Sequence, residues 1–106
     1  MAFDNLRFTE SAERDLDGIL SYISAELCNP GAAASFYSEL EDELRRICDF
    51  PNSGSPVQND FLKARDIRKK FIGNYTLYYR QNEDGVIIIL RIVSSRRNQD
   101  AIEYMC

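Results

Sequence analysis

Five consecutive apolar residues, Val86-Ile87-Ile88-Ile89-Leu90, constrain this chain more than any other feature. Alternate side chains of a strand point to opposite faces, so a run with no polar position needs shielding on both sides. Val86 to Val93 is therefore expected to be a central strand. Arg65 to Phe71 and Tyr75 to Gln81 are two further β-prone runs, and the turn sequences Gly73-Asn74 and Asn82-Glu83-Asp84-Gly85 join the three into an antiparallel meander.

The N-terminal half supplies the rest of an α+β fold. Leu6-Arg7-Phe8-Thr9 alternates as a short strand with Leu6 and Phe8 inward. Thr9 or Ser11 can then cap a helix whose first turn holds Glu10 and Glu13, and Ala12, Leu16, Ile19, Leu20, Ile23 and Leu27 form its apolar stripe. Asn29-Pro30 starts a second helix with the stripe Ala33, Phe36, Leu40, Leu44 and Ile47. The two helices are expected to pack antiparallel, and Phe50-Pro51-Asn52-Ser53-Gly54-Ser55-Pro56 ends the second one in a loop. Such a hairpin covers one face of the sheet only. Ile87 and Ile89 then need other cover, either from a dimer mate or binding partner, which we favour, or from loops and the tail Gln99 to Cys106.

At 106 residues the chain is expected to be one domain, residues 1–106. An apolar fraction of 44% with 28% charged residues is that of a folded protein, and no apolar run approaches the roughly 20 residues of a membrane helix. No secretory signal is recognisable, and three cysteines without C-x-x-C spacing suggest neither a disulfide framework nor a zinc ribbon. Cytoplasmic residence is expected. The chain has no histidine, which removes the commonest general base and metal ligand, and no glycine-rich phosphate loop is present. No cofactor or metal is implied, and the acidic run Glu39, Glu41, Asp42, Glu43 reads as a solvated helix face.

Charge is divided between the halves. Residues 1–62 carry four basic and twelve acidic side chains, whereas residues 63–106 carry nine basic and five acidic ones. Strand alternation places Tyr75, Leu77 and Tyr79 inward, and Arg68, Lys70, Tyr78 and Arg80 are expected on the open face, joined by Arg91 or by Arg96 and Arg97. Such a face suits nucleic acid or an acidic peptide equally, unless its residues are merely solvated.

The order of elements resembles the RelE/ParE superfamily of toxins from bacterial type II toxin-antitoxin modules. The resemblance rests on Phe8-Thr9 leading into Ala12-x-x-Asp15-Leu16-x-x-Ile19-x-x-Tyr22-Ile23, on Ala33-x-x-Phe36, and on Phe50-Pro51-x-x-Gly54. Its most specific stretch is Ile67-Arg68-Lys69-x-x-x-Gly73-x-Tyr75-x-Leu77-Tyr78-Tyr79-Arg80, followed by Asp84-Gly85-Val86-x-Ile88 and Leu90-Arg91-Ile92-Val93. It implies an N-terminal strand, an antiparallel helical hairpin on an antiparallel sheet, a three-strand meander, and a short C-terminal helix or tail. It also implies a cytoplasmic toxin in a hetero-oligomer with a cognate antitoxin, whose extended segment wraps it along a groove of helix and sheet, and no membrane.

Members of the superfamily divide by target. RelE-like members cut mRNA on the ribosome, so that the RNA 2′-hydroxyl attacks the adjacent phosphate. Lys69 and Arg96 match two of their catalytic positions, but Ile67, Thr76 and Ile102 stand where two further cations and a tyrosine are expected, and Tyr104 substitutes only if the tail shifts by two residues. Each missing electrostatic donor costs several kcal/mol of transition-state stabilisation. ParE-like members inhibit DNA gyrase without chemistry of their own. Arg68-Lys69, Tyr75-x-Leu77-x-Tyr79-Arg80 and Arg91-Ile92-Val93 follow their pattern, apart from Ser94 where many have histidine. The resemblance therefore implies a ParE-like gyrase inhibitor using Arg68, Lys69, Lys70, Tyr78, Arg80, Ile87, Ile89, Arg91, Arg96 and Arg97 toward target or antitoxin. The alternative is an mRNA endonuclease with Lys69, Arg96 and Tyr104 catalytic, and a third reading is an inactive toxin-derived binding protein.

Overall fold

The computed structural model describes residues 5–57, 59–60 and 65–95. Strand β1 (Leu6–Phe8) leads into α1 (Glu10–Ser21), and a π-helical turn (Tyr22–Glu26) follows. Helix α2 (Pro30–Asp49), a 3-10 turn (Pro51–Ser53) and the two-residue strand β2 (Ser55–Pro56) come next, before β3 (Arg68–Ile72), β4 (Tyr75–Gln81) and β5 (Ile87–Ser94). Local chemistry sets the boundaries. Thr9 caps α1 by accepting the Ala12 N–H at 3.0 Å, and Asn29 caps α2 by accepting the Ala32 N–H at 3.1 Å, with Pro30 in the first turn where no N–H is needed. Gly73, at φ +57°, opens the two-residue β3–β4 loop in a position that favours glycine.

The strands form a five-stranded sheet in the order β1-β5-β4-β3-β2. Its one departure from the expected all-antiparallel sheet is β1, which runs parallel to β5. After β1 the helical hairpin carries the chain to the far edge, and the meander returns strand by strand until β5 lies beside β1. Periodicity within a three-residue strand says nothing of its direction.

Both helices pack on one face. Leu16 and Ile19 of α1 and Phe36, Leu40, Leu44 and Ile47 of α2 join Ile72, Leu77, Tyr79, Ile87, Ile89 and Ile92 of the sheet in the main core. Phe36 meets Tyr75 edge-on, with ring centres 5.4 Å apart. The opposite face carries a smaller cluster in which Val57 and Ile67, from the segment joining β2 to β3, pack with Tyr78, Leu90 and Val93.

A β-bulge in β5 explains how one strand serves both clusters. Tyr78 pairs with Arg91 but Tyr79 with Ile89, so Leu90 is an extra residue and the alternation shifts by one. Ile87, Ile89 and Ile92 therefore share the helix side, while Ile88, Leu90 and Val93 share the other. The expectation that Ile87 and Ile89 await a partner is corrected accordingly: both are fully buried under the helices. The residues on the uncovered side are their neighbours, and Val57 and Ile67 of the chain itself help to close it. The tail Gln99 to Cys106 lies outside the described residues.

The Phe50-Pro51-x-x-Gly54 segment is tied to the sheet through Tyr79. Its hydroxyl donates to the Pro51 carbonyl at 2.7 Å and accepts the Gly54 N–H at 2.9 Å. A Cβ on Gly54 would lie 2.5 Å from that hydroxyl and 2.9 Å from the Lys69 carbonyl, so only glycine fits. Among the described residues no helix is long and apolar enough to cross a membrane.

Candidate functional site

The β3–β4 register sorts the cationic residues differently from the expectation. Ile72 pairs with Tyr75, which puts Arg68 opposite Tyr79, Lys69 opposite Tyr78 and Lys70 opposite Leu77. Cross-strand partners share a face, so Arg68 and Lys70 belong to the helix side and only Lys69 to the open side. Alternation within each strand was legible, but the phase between strands depends on the turn, and a shift of one residue exchanges the faces.

The side-chain contacts agree. Arg68 donates to the Gly54 carbonyl at 2.9 Å and so braces the proline loop, and Lys70 lies 3.5 Å from Glu43 of α2. Glu43 also pairs with Arg46 of its own helix, and through Lys70 the acidic run of α2 is partly engaged with the sheet rather than wholly solvated. Arg91 is held by Asp15 of α1: its Nε and Nη2 donate to the two carboxylate oxygens at 2.6 and 3.0 Å, and the same carboxylate accepts the Ile92 N–H at 3.0 Å. Arg68, Lys70 and Arg91 thus serve the fold. Tyr78 is buried among Ile67, Leu90 and Val93 rather than open for stacking. Arg96, Arg97 and Tyr104 lie outside the described residues.

What remains on the open face is a small basic surface. Arg7 of β1 and Arg80 of β4 both align with Ile88 of β5, so two guanidinium groups flank one apolar residue in a single row. Lys69 stands one strand over, its ammonium 5.6 Å from the ring centre of Phe71, which is 60% exposed. The strand positions of this face carry Arg7, Lys69 and Arg80, together with Arg91, which is drawn to Asp15, and no carboxylate. Arg7 was signalled by the Leu6/Phe8 alternation but not assigned a role, and Phe71 was not singled out.

A second surface has a different chemistry. β1 ends at Phe8, opposite Ile89, so β5 from Leu90 onward has no strand neighbour on that side among the described residues. Thr9 covers the start of this edge by donating its hydroxyl to the Leu90 carbonyl at 2.9 Å, and Asp15 covers Ile92. Further along, a groove opens between α1 with its π turn and the end of β5. Its narrow compartment, about 270 Å³, is bordered by Asp15, Gly18, Ile19, Ile92 and Ser94, and its wide one, about 610 Å³, by Tyr22, Leu27, Ala32, Asn74 and Ser95. Tyr75 and Ser94 border both compartments.

Tyr22 and Leu27 are 50% and 55% exposed at the groove. Leu27 was expected in the buried stripe, four residues after Ile23. The π turn, in which the Leu27 N–H donates to the Tyr22 carbonyl five residues back at 3.1 Å, widens the helix and rotates Leu27 out of that stripe. Nothing in the 3.6-residue pattern announces such a turn. Among the described residues no three His, Cys, Asp or Glu side chains are placed to hold a metal ion together. Two surfaces stand out: an apolar groove beside a strand edge, and a basic surface around Ile88.

Comparison with known proteins bears on what these surfaces meet. The family model described as the ParE toxin of the type II toxin-antitoxin system parDE matches residues 6–99. A chain of the chromosomal ParDE toxin-antitoxin system from P. aeruginosa has the same fold, with a TM-score of 0.68 and 21% identity over 85% of this chain and 94% of that one. A chain of the RelBE2 toxin-antitoxin complex from Mycobacterium tuberculosis superposes with a TM-score of 0.56 at 25% identity, covering 85% of this chain and 95% of that one. No curated protein gives a significant sequence match.

Proposed function

Because this chain belongs to the ParE toxin family of type II toxin-antitoxin systems, we propose that it arrests growth by inhibiting DNA gyrase and that a cognate antitoxin neutralises it. Inhibition is by binding rather than by chemistry. The observation that carries this choice is the burial of Ile67 and Thr76, the positions where the ribonuclease pattern asks for cations. Thr76 instead shares a hydrogen bond of 3.0 Å with Ser95. Lys69, even with Arg96, would leave an attacked phosphate short of the several donors that such a transition state requires.

Each surface is assigned to the partner its chemistry suits. The groove, with Tyr22 and Leu27 half exposed, suits an apolar segment of the antitoxin, since burying such side chains drives association. The basic surface of Arg7, Lys69 and Arg80 suits an acidic surface on the target. Both partners are met in the cytoplasm, and the toxin acts as one domain.

The test is supercoiling by purified gyrase as antitoxin-free protein is titrated in. Inhibition by the wild type, lost in a folded K69A/R80A variant, is the expected result. Well-folded protein without effect at large molar excess would overturn the gyrase assignment, and cleavage of mRNA on translating ribosomes would then identify the alternative.

A further inference from the structure

Glycine is, after proline, the residue least suited to the interior of a helix, so Gly18 in the middle of α1 calls for a reason. The chain itself supplies none. The left-handed glycines are Gly73 and Gly85, not Gly18, and a Cβ placed on Gly18 would meet no atom within 4 Å.

Its position supplies a reason from outside the chain. Asp15, Gly18 and Tyr22 succeed one another at three- and four-residue spacing along one flank of α1 and its π turn. That flank overhangs β5 where β1 has ended: Asp15 touches Ile92, and Tyr22 borders the wide compartment with Ser94. Between them Gly18 forms part of the wall of the narrow compartment. Arg14, Asp15 and Ile19 also line this compartment from α1, but at Gly18 the wall has no side chain and lets another main chain approach to backbone distance beside a strand edge, where even one methyl group would hold it away.

We infer that Gly18 is a specificity-determining residue, the point of close approach for the main chain of an extended antitoxin segment lying between α1 and β5. The inference rests on the antitoxin reading above. The apolar side chains of that segment fill the wide compartment against Tyr22 and Leu27, while its backbone passes Gly18 in the narrow one.

The experiment is calorimetric titration of the full toxin with its purified cognate antitoxin, using wild type, Gly18→Ala, Gly18→Leu and, as a control, Gly31→Ala, a helical glycine that lines neither compartment. Gly18→Ala should melt roughly 4–8 °C higher than wild type, as expected for alanine replacing glycine in a helix of this size of protein. It should nevertheless bind the antitoxin about tenfold more weakly, and Gly18→Leu at least about a hundredfold more weakly, through overlap at the contact. Gly31→Ala should bind as wild type. Higher stability with weaker binding is a pairing that a merely structural role does not give. Wild-type affinity in both Gly18 variants overturns the inference and leaves the antitoxin reading standing; failure of the wild type to bind overturns both.

Discussion

On the helix-covered face of the sheet, Leu77, Tyr79, Ile87, Ile89 and Ile92 join Leu40, Leu44 and Ile47 in one continuous apolar core; on the other face the buried set is Val57, Ile67, Tyr78, Leu90 and Val93, with Arg7, Lys69 and Arg80 beside it. Both faces draw on the same apolar strand, and the bulge at Leu90 divides it between them. The unbroken apolar run Val86 to Leu90 thus needs no partner to explain it. The face under the helices supplies most of the stability, and the thinner face is left with room for charge.

Truncation should break this comparison most sharply. Ile89→Ala, in the main core, should cost about 2–5 kcal/mol in urea unfolding, whereas Ile88→Ala, partly buried between two arginines, should cost about 1 kcal/mol or less. Equal costs would mean that the second cluster is as important to the fold as the first.

The proline loop gives the next largest effect. Gly54→Ala should destabilise by about 1–3 kcal/mol, because its Cβ would overlap the Tyr79 hydroxyl. Tyr79→Phe should cost about 1–3 kcal/mol by stranding the Gly54 N–H and Pro51 carbonyl. Removing the hydroxyl relieves part of the overlap, so the double variant should cost less than the two singles together. Strict additivity in that cycle would show that Gly54 and Tyr79 are not coupled.

The smallest effect is one of pH. Burial raises the Tyr79 phenol above its usual range, and the hydrogen bond with Gly54 offsets this only in part. The folded state therefore holds this proton more tightly than the unfolded chain. The corresponding stability is complete below the unfolded-state value near about 10 and is lost as pH rises through the higher folded-state value. Tyr79→Phe should accordingly lose less stability than wild type between about pH 9.5 and 11 in denaturant titrations. An unchanged alkaline slope would discharge Tyr79 from that role.

The elements themselves were plain in the sequence. Thr9, Asn29 and Pro30 announce the helix starts, and the stripes ending in Leu44 and Ile47 identify the buried side of α2, since capping and periodicity are local properties. Side-chain assignments failed where local pattern meets a shift in register. The one-residue bulge at Leu90 and the π turn before Leu27 each move the phase of an otherwise regular repeat, and the Ile72–Tyr75 pairing decides which of Arg68, Lys69 and Lys70 faces outward. The groove was illegible for the same reason: it exists because β1 stops at Phe8 and Leu27 turns outward, neither of which leaves a signature in composition.

The carboxylate of Asp15 has a consequence for the toxin on its own. A strand edge with unclaimed donors is a template on which a second copy can pair, and successive copies can stack into aggregates. By taking the Ile92 N–H together with the Arg91 guanidinium, Asp15 withdraws a main-chain donor from that edge and places a charged pair beside it. The chain thereby carries its own safeguard against sticking to itself during any interval in which it is free of a partner.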